Sequence, residues 1–580
     1  MEEAMKLSRQ HLPYIILLGL FLIAFFWGLS TGILGHDYFY FFPKLLDGKW
    51  HFMRQGLSMF YYTPHMCGGF PEYANPQSMY YSLQQFFVLF LDMWLAVRLT
   101  ILISMLIAYV GWYRVGKDLI KLNMHWAHLL ALIITAHGYH FMHMIPGHIV
   151  FHSMPIIGWL LWMLFDRREL DFKGLITKGA WFALATAYIL YSGGYMVAVM
   201  ALFAVIALLP YELILHASTL RSRLKILSKN ILACGIGGLL INISKLVATF
   251  SFIKYFPRHV PFERLWDDTS ILVYIVRALF ALPQNNDLFW EFGMGDWGAF
   301  HEYSFLVSPV VLIGLACGVY LMWKKRSVLL QRKYQLMMTI VTSLILLIFL
   351  MQLMQGYGWM VTPLETLPIF SGLHVNMRWL YAFSFLPILT GVWCLQQCFV
   401  RYSRNFVITG GIITIVAFVG GYYGILHTNT LPRTLPYDEI IAALDTQENY
   451  MDLDVEEAFD MRGMGHSGFI PLIFGGNHIY CHEPMLLGTS HLPDTIRVTT
   501  IMDEQDGYLN IYNPACMVYP EENDCESGDR ILASDTENAE HFRTGQKTTW
   551  KMSPLQHISN WISMFSLIVS VVALVVLRKR

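Results

Sequence analysis

The sequence predicts an all-α polytopic membrane protein with a small β-rich domain inserted near its end. Three observations carry this. First, 55% of the 580 residues are hydrophobic and only 14% are charged, against about 25% charged in an ordinary soluble domain. Second, apolar blocks of the length needed to cross ~30 Å of hydrocarbon recur from Pro13 to Leu577. Third, the formal net charge of -1 hides a segregation. Residues 427–557 hold 22 Asp and Glu against 7 Lys and Arg, and the remainder holds 33 Lys and Arg against 19 Asp and Glu. The pattern excludes a soluble multidomain enzyme and a disordered scaffold. The basic residues lie in short clusters between apolar blocks, so no nucleic-acid surface is expected.

Twelve blocks read as spans: 12–34, 93–113, 125–137, 149–165, 177–191, 194–210, 231–249, 303–323, 335–354, 378–399, 406–426 and 558–577. The first is expected to stay in place rather than be cleaved as a signal, because no small-residue cleavage site follows it. The apolar stretch Gln77 to Leu91 reads as an interfacial helix. Basic residues concentrate in alternate connections: Arg114, Lys117 and Lys121; Arg167, Arg168 and Lys173; Lys324, Lys325 and Arg326. By the positive-inside rule these connections and both termini are cytoplasmic. The loops 35–92 and 250–303 and the acidic domain 427–557 then lie outside. Residues 1–426 form the main membrane module, and 558–580 a last helix with a basic tail.

Within the acidic domain, residues 496–501 and 508–512 are strand-like runs set between turn residues. Cys234, Cys317, Cys394 and Cys398 fall in or near helices and read as buried thiols. Cys516 and Cys525 bracket a turn-rich stretch. An oxidising compartment permits a disulfide there, and the spacing does not require one.

Asp37 sits where the first span ends, among aromatic residues. Partial desolvation lifts a carboxylate toward the range of a general base; the plainer reading is a solvated loop carboxylate or a helix cap. Lys245, Arg258 and Arg378 are cations near expected helix ends. Such groups either pair and serve a pathway or snorkel to the headgroups. Five histidines (His137, His140, His143, His148 and His152) cluster around the third and fourth spans. His148 and His152 have the i, i+4 spacing, but there is no HExxH and no carboxylate between Tyr139 and Leu164, so no metal site is assigned. His148 reads as a hydrogen-bonding group for sugar or phosphate, the others as structural. In loop 250–303, Asp296 and Glu302 are candidate hydroxyl binders. Trp290, Trp297 and Phe300 are either stacking platforms or an interfacial aromatic belt.

Several segments, in order, resemble one family. They are His36-Asp37 after the first span, the downstream LLDGKW, the CGGFPEYANPQ segment with Asn75 and Gln77, and Pro146-Gly147-His148. Further along come Ser244-Lys245-Leu246 through Phe256-Pro257-Arg258, the LPIFSGLH segment ending at His374 with Arg378 beyond it, and Cys481-His482-Glu483-Pro484. Together they resemble bacterial YfhO-like membrane proteins of the GT-C superfamily of polytopic glycosyltransferases. The resemblance implies a GT-C-like fold of about 12 transmembrane helices in the bacterial cytoplasmic (inner) membrane. It implies inverting transfer of a sugar from a polyprenyl-phosphate donor to an extracytoplasmic glycan, glycolipid or protein. Asp37 is then the catalytic base, and His36, Asn75, Gln77, His148, Lys245, Arg258, His374 and Arg378 are the substrate-binding candidates. No cofactor is called for, and a divalent metal is compatible but not indicated. A transporter or flippase of lipid-linked glycans is the alternative. Many transporters are built from repeated halves, and no matching half is seen in this sequence. A non-catalytic assembly protein with a partner-binding outer domain is a third reading.

Overall fold

The computed structural model describes residues 2–29, 37–215, 220–257, 304–324, 378–399, 403–428, 452–459, 468–479 and 496–578, with Glu302 and short pieces within 275–280, 347–352 and 359–365. Most of these residues are helical. The principal helices are α1 (Glu2–Leu29), α2 (Tyr38–Gln55), α3 (Leu83–Val88), α4 (Met93–Arg114), α5 (Met124–Thr135) and α6 (Gly138–Met144), followed by α7 (Ile157–Phe165), α8 (Phe172–Tyr191), α9 (Tyr195–Leu215) and α10 (Leu220–Tyr255). The series closes with α11 (Pro309–Lys324), α12 (Arg378–Cys398), α13 (Ser403–Thr428) and α14 (Pro554–Arg578).

Among the described residues, six helical stretches are long and apolar enough to cross a membrane: Gln10–Trp27, Met93–Leu119, Leu220–Tyr255, Arg378–Cys398, Arg404–Tyr423 and Pro554–Leu577. Ile149–Phe165, Tyr195–Pro210 and Pro309–Leu321 are apolar but shorter. This makes the chain a helical membrane protein. The block 125–137 becomes the 12-residue α5, which reaches only about 18 Å at 1.5 Å per residue. The block 177–191 lies in α8, whose Lys178 is buried and bridges Asp166 at 3.1 Å. The block 335–354 lies largely outside the described residues.

Helix starts follow the sequence. Asn123 accepts from Trp126 N at 3.2 Å, and Asp171 from Gly174 N at 2.8 Å, each relieving an orphan donor of the first turn. α8 and α10 approach closely through small residues. A Cβ on Gly179 would stand 2.8 Å from Ala233 O, and one on Gly237 2.8 Å from Gly179 O; such close backbone contact is how helices pack where lipid removes the hydrophobic drive. The basic residues around Asp166 are paired rather than loose. Arg167 and Arg223 both bridge Glu212 at 2.9 and 2.7 Å, and Arg168 bridges Asp166 at 2.9 Å.

Two expectations change. Residues 35–92 are no mere loop, since α2 occupies 18 of them and buries Phe42, Leu45, Asp47 and Trp50. The interfacial helix expected over 77–91 shrinks to Leu83–Val88, because Gln84 and Gln85 are buried and Gln85 Nε2 donates to Leu45 O at 3.0 Å.

The described part of 427–557 is mixed rather than β-rich. β1 (Glu457–Phe459) pairs in parallel with β2 (Gly476–His478). β3 (Glu504–Gln505), β4 (Tyr508–Tyr512) and β5 (Arg530–Leu532) form an antiparallel sheet. Short helices span Phe469–Phe474, Pro514–Val518 and Thr536–Arg543. The run 508–512 is a strand as expected, and 496–501 is not. The Asn510 side chain takes the place of a neighbouring strand there, accepting from Arg497 N at 2.7 Å and donating to Arg497 O at 2.5 Å. Cys516 and Cys525 are joined by a disulfide, and Cys67 is also disulfide-bonded.

This unit docks on the segment before α3. Met66 bridges His478, Gly68 N donates to Asn477 Oδ1 and Tyr512 N to Gly68 O, each at 2.7 Å, and the Tyr62 ring stacks on Phe542 at 5.6 Å.

Candidate functional site

The turn between α6 and α7 builds the site. Gly147 has φ +108°, and a Cβ on it would stand 2.5 Å from Tyr38 N, so only glycine fits the crossing of this turn with the start of α2. Two further bonds lock the crossing: Asp37 N donates to Pro146 O at 2.9 Å, and Tyr38 Oη to Met144 O at 2.7 Å. His148 N returns to His143 O at 2.9 Å. The outcome is that His148 Nε2 meets Asp37 Oδ2 in an ion-pair contact, with both side chains largely buried.

A second pair lies beside the first. His143 Nδ1 faces Tyr139 O at 2.8 Å. A carbonyl only accepts, so Nδ1 carries the proton. Nε2 is then turned to Glu302 Oε2 at 3.3 Å. Arg378 grips the same carboxylate, with Nε at 2.9 and 3.1 Å from its two oxygens and Nη2 on Oε1. Its guanidinium carbon lies 5.5 Å from the centre of the Phe151 ring. The His143 and His148 rings are 5.2 Å apart between centroids. One ligand atom each from His143, His148 and Glu302 fall within 4.8 Å of one another.

The electrostatics follow from burial and countercharge. Burial pushes the Glu302 carboxyl up, but the Arg378 guanidinium beside it is the largest opposing influence, and the group is held well below the usual carboxylate range. Burial lowers the His143 imidazole, and Glu302 offsets only part of that. A polar chain thus runs Asp37–His148–His143–Glu302–Arg378 through largely apolar packing. It can take a proton, hold a cation or orient an anion.

Of the residues expected from sequence, Asp37, His148 and Arg378 come together here. Lys245, Asn75 and Gln77 lie in another group. Lys245 Nζ is buried and donates to Tyr73 O and Asn75 O, both at 2.7 Å. Asn75 Oδ1 accepts from Gln77 N at 2.9 Å, and its Nδ2 donates to Glu72 at 3.3 Å. Lys245 therefore pins a loop and does not join Arg378. His36, Arg258 and His374 lie outside the described residues, as do Trp290, Asp296, Trp297, Phe300 and the Cys481–Pro484 segment. His143 and Glu302 join the site although sequence reading left one structural and gave the other only to a sugar hydroxyl. The bunched histidines were the available signal, but nothing in the sequence aligns Glu302 with them.

His137 and His152 have structural partners, Ser384 Oγ at 3.0 Å and Tyr188 Oη at 2.8 Å. Tyr188 also lines a cavity of about 750 Å³, walled by Leu57, Tyr191, Ile241, Trp561 and Leu567. The wall is mostly apolar. Ser244 and Asn560 supply polar groups and hydrogen-bond each other at 2.5 Å. No family model, no curated protein and no solved structure matches this chain, so the chemistry of the site rests on the atoms just described.

Proposed function

We propose that the protein is a GT-C-like membrane glycosyltransferase of about twelve spans, with both termini cytoplasmic and the Asp37 cluster on the outer face. The donor is a polyprenyl-phosphate sugar and the acceptor an envelope glycan, glycolipid or protein. The acceptor hydroxyl gives its proton to Asp37 and attacks the anomeric carbon with inversion. The bond from that carbon to the phosphate oxygen breaks, and its electron pair leaves on the phosphate. The leaving group is already a stable anion, so it needs donors more than an acid. Arg378 serves there: its Nε and Nη2 hold Glu302, and Nη1 is left for a phosphate oxygen.

The observation that supports this reading most is the junction of Asp37, His148 and Arg378 in one buried cluster, three residues singled out independently. The apolar cavity beside Tyr188 suits a lipid chain. The Cys516–Cys525 disulfide suits an oxidising, extracytoplasmic compartment.

The test is Asp37→Asn in the full chain, with insertion and folding verified, assayed with radiolabelled polyprenyl-phosphate sugars. A general base is worth about 10²–10⁴-fold in rate, so transfer falls by at least the lower figure. Retained transfer removes Asp37 as the base. Movement of lipid-linked glycan across vesicles with no transfer at all favours a flippase. A reporter fused after His427 reads as extracytoplasmic if the orientation is right.

A further inference from the structure

We propose that His143, His148 and Glu302 form a site for one divalent transition-metal ion of the zinc type. Two histidines and a carboxylate with a fourth position open is the donor set of catalytic zinc sites. The three ligand atoms lie within 4.8 Å of one another. His143 Nε2 and Glu302 Oε2 are 3.3 Å apart, close to the ~3.4 Å edge of a tetrahedron with bonds of about 2.1 Å.

The stronger argument is that each ligand is already held by an outer partner. The Nδ1 proton of His143 is committed to Tyr139 O, so Nε2 presents its lone pair to Glu302. Two electron-rich atoms then face each other at a distance suited to sharing a cation. His148 Nε2 is committed to Asp37, which leaves the lone pair of that ring on Nδ1. Glu302 is gripped by Arg378 through both oxygens. Metal-binding histidines almost always donate their second nitrogen to a carboxylate or carbonyl, which fixes tautomer and ring orientation. Here both histidines do so. Asp37, Glu302 and Arg378 sum to one negative formal charge. A divalent ion turns this to one positive charge, and an anionic oxygen then fits the open position, within reach of Arg378. As an aid to sugar transfer the ion rests on the reading above; as a bound ion it is measured separately.

The experiment uses the purified full chain in lipid nanodiscs, stripped with a chelator and dialysed against Zn²⁺. Metal content is read by mass spectrometry, and the d–d spectrum is read after Co²⁺ replacement. The expected result is about one ion per chain with a tetrahedral Co²⁺ spectrum. His143→Ala abolishes binding. Asp37→Asn keeps the stoichiometry but weakens affinity by about 10–100-fold, the usual effect of losing an outer partner. Glu302→Gln alone strands Arg378, so the double variant Glu302→Gln/Arg378→Met is compared with it; loss of the ion from a double variant that elutes and melts like the parent assigns Glu302 as a ligand. The proposal is overturned if the parent chain takes up no more ion than His143→Ala, or if the folded double variant binds as the parent does. An ion on a chain that transfers no sugar keeps this site and rejects the transfer reading. Transfer by a chain that binds no ion does the reverse.

Discussion

Two buried groups in the same part of the chain each combine an acid with a histidine, and they solve the cost of burial in opposite ways. In the Asp37–His148–His143–Glu302–Arg378 cluster, the Glu302 carboxylate is met by the Arg378 guanidinium. In the second group, Asp47 is fully buried, accepts from Tyr80 Oη at 3.0 Å, and lies 3.9 Å from His65 Nε2. Burial pushes the Asp47 carboxyl up to about 7 against weaker help from Thr63 and Tyr80, and burial lowers His65 to about 4. Below about pH 7 that pair escapes the penalty by staying neutral. An isolated buried acid sheds its charge and becomes packing; a buried acid with a fixed cation keeps it and can do chemistry. The difference, more than the residue types, marks the first group as the candidate site.

The largest way to break this contrast is to unpair the charged group. Glu302→Ala leaves Arg378 buried without its partner, and breaking a buried pair costs about 3–5 kcal/mol. The melting temperature of the detergent-solubilised protein should drop sharply, and Glu302→Ala/Arg378→Met should recover much of the loss. A melt unchanged by Glu302→Ala would mean that the charge is not held there.

The neutral pair is tested by pH. Asp47 keeps its proton when folded up to about 7 and only to 3.8 when unfolded, so it lowers stability progressively as pH rises from 3.8 to 7, by roughly 4 kcal/mol in all. His65 has the opposite sign. Its folded value of about 4 lies below the ordinary 6.5, so stability is lost as pH falls from 6.5 toward 4. The two slopes oppose each other in the parent. Asp47→Asn removes the first and leaves the second. Its stability should rise with pH between about 4 and 6.5 and exceed the parent's at pH 8. Parallel pH profiles for parent and variant would show Asp47 to be ionised.

Gly147→Ala attacks the turn that sets His148 against Asp37. A positive φ and a backbone clash with Tyr38 N should cost about 2 kcal/mol and, under the proposed function, reduce transfer more than Asp47→Asn does. The smallest effect belongs to Lys245→Met. Two carbonyls lose their donor, worth about 1–3 kcal/mol, and under the proposed function KM for a polyprenyl-phosphate sugar stays unchanged in the folded fraction. A large rise in KM would restore Lys245 as a phosphate ligand.

Much of the membrane part was legible because hydrocarbon demands long apolar helices: the blocks at 93–113, 378–399 and 406–426 became Met93–Arg114, Arg378–Cys398 and Ser403–Thr428. The helix of residues 38–55 was hidden by Pro43, Gly48 and a dense mix of aromatic and charged residues that lacks a membrane signature. The place of Arg378 at a helix start was legible, since it opens Arg378–Cys398, whereas Asp37 stands at the start of the helix 38–55 rather than at the exit of the first span. The bonds of Lys245 to Tyr73 O and Asn75 O were not legible, because a lysine near a helix end has the same sequence signal whether it snorkels, pins carbonyls or meets a phosphate. His143 and Glu302 were not legible as partners, since the contact joins parts of the chain far apart in sequence and depends on the Gly147 turn. In the run 496–501 only the end keeps strand-like pairing, through Thr499 O and Ile501 N to the backbone of 456–458, while the Asn510 amide caps Arg497.

The docking of Tyr62 on Phe542 and of Met66 on His478 also sets a timetable for biogenesis. When Tyr62 and Met66 leave the ribosome, these partners are more than 400 codons away, which at about 5–20 residues per second is roughly 20 to 95 seconds of waiting. Through that interval Tyr62 and Met66 lack these partners, so the nascent chain calls for shielding by a chaperone or the translocon. Translation stalled before residue 540 should leave this segment open to protease, and release of the stall should close it.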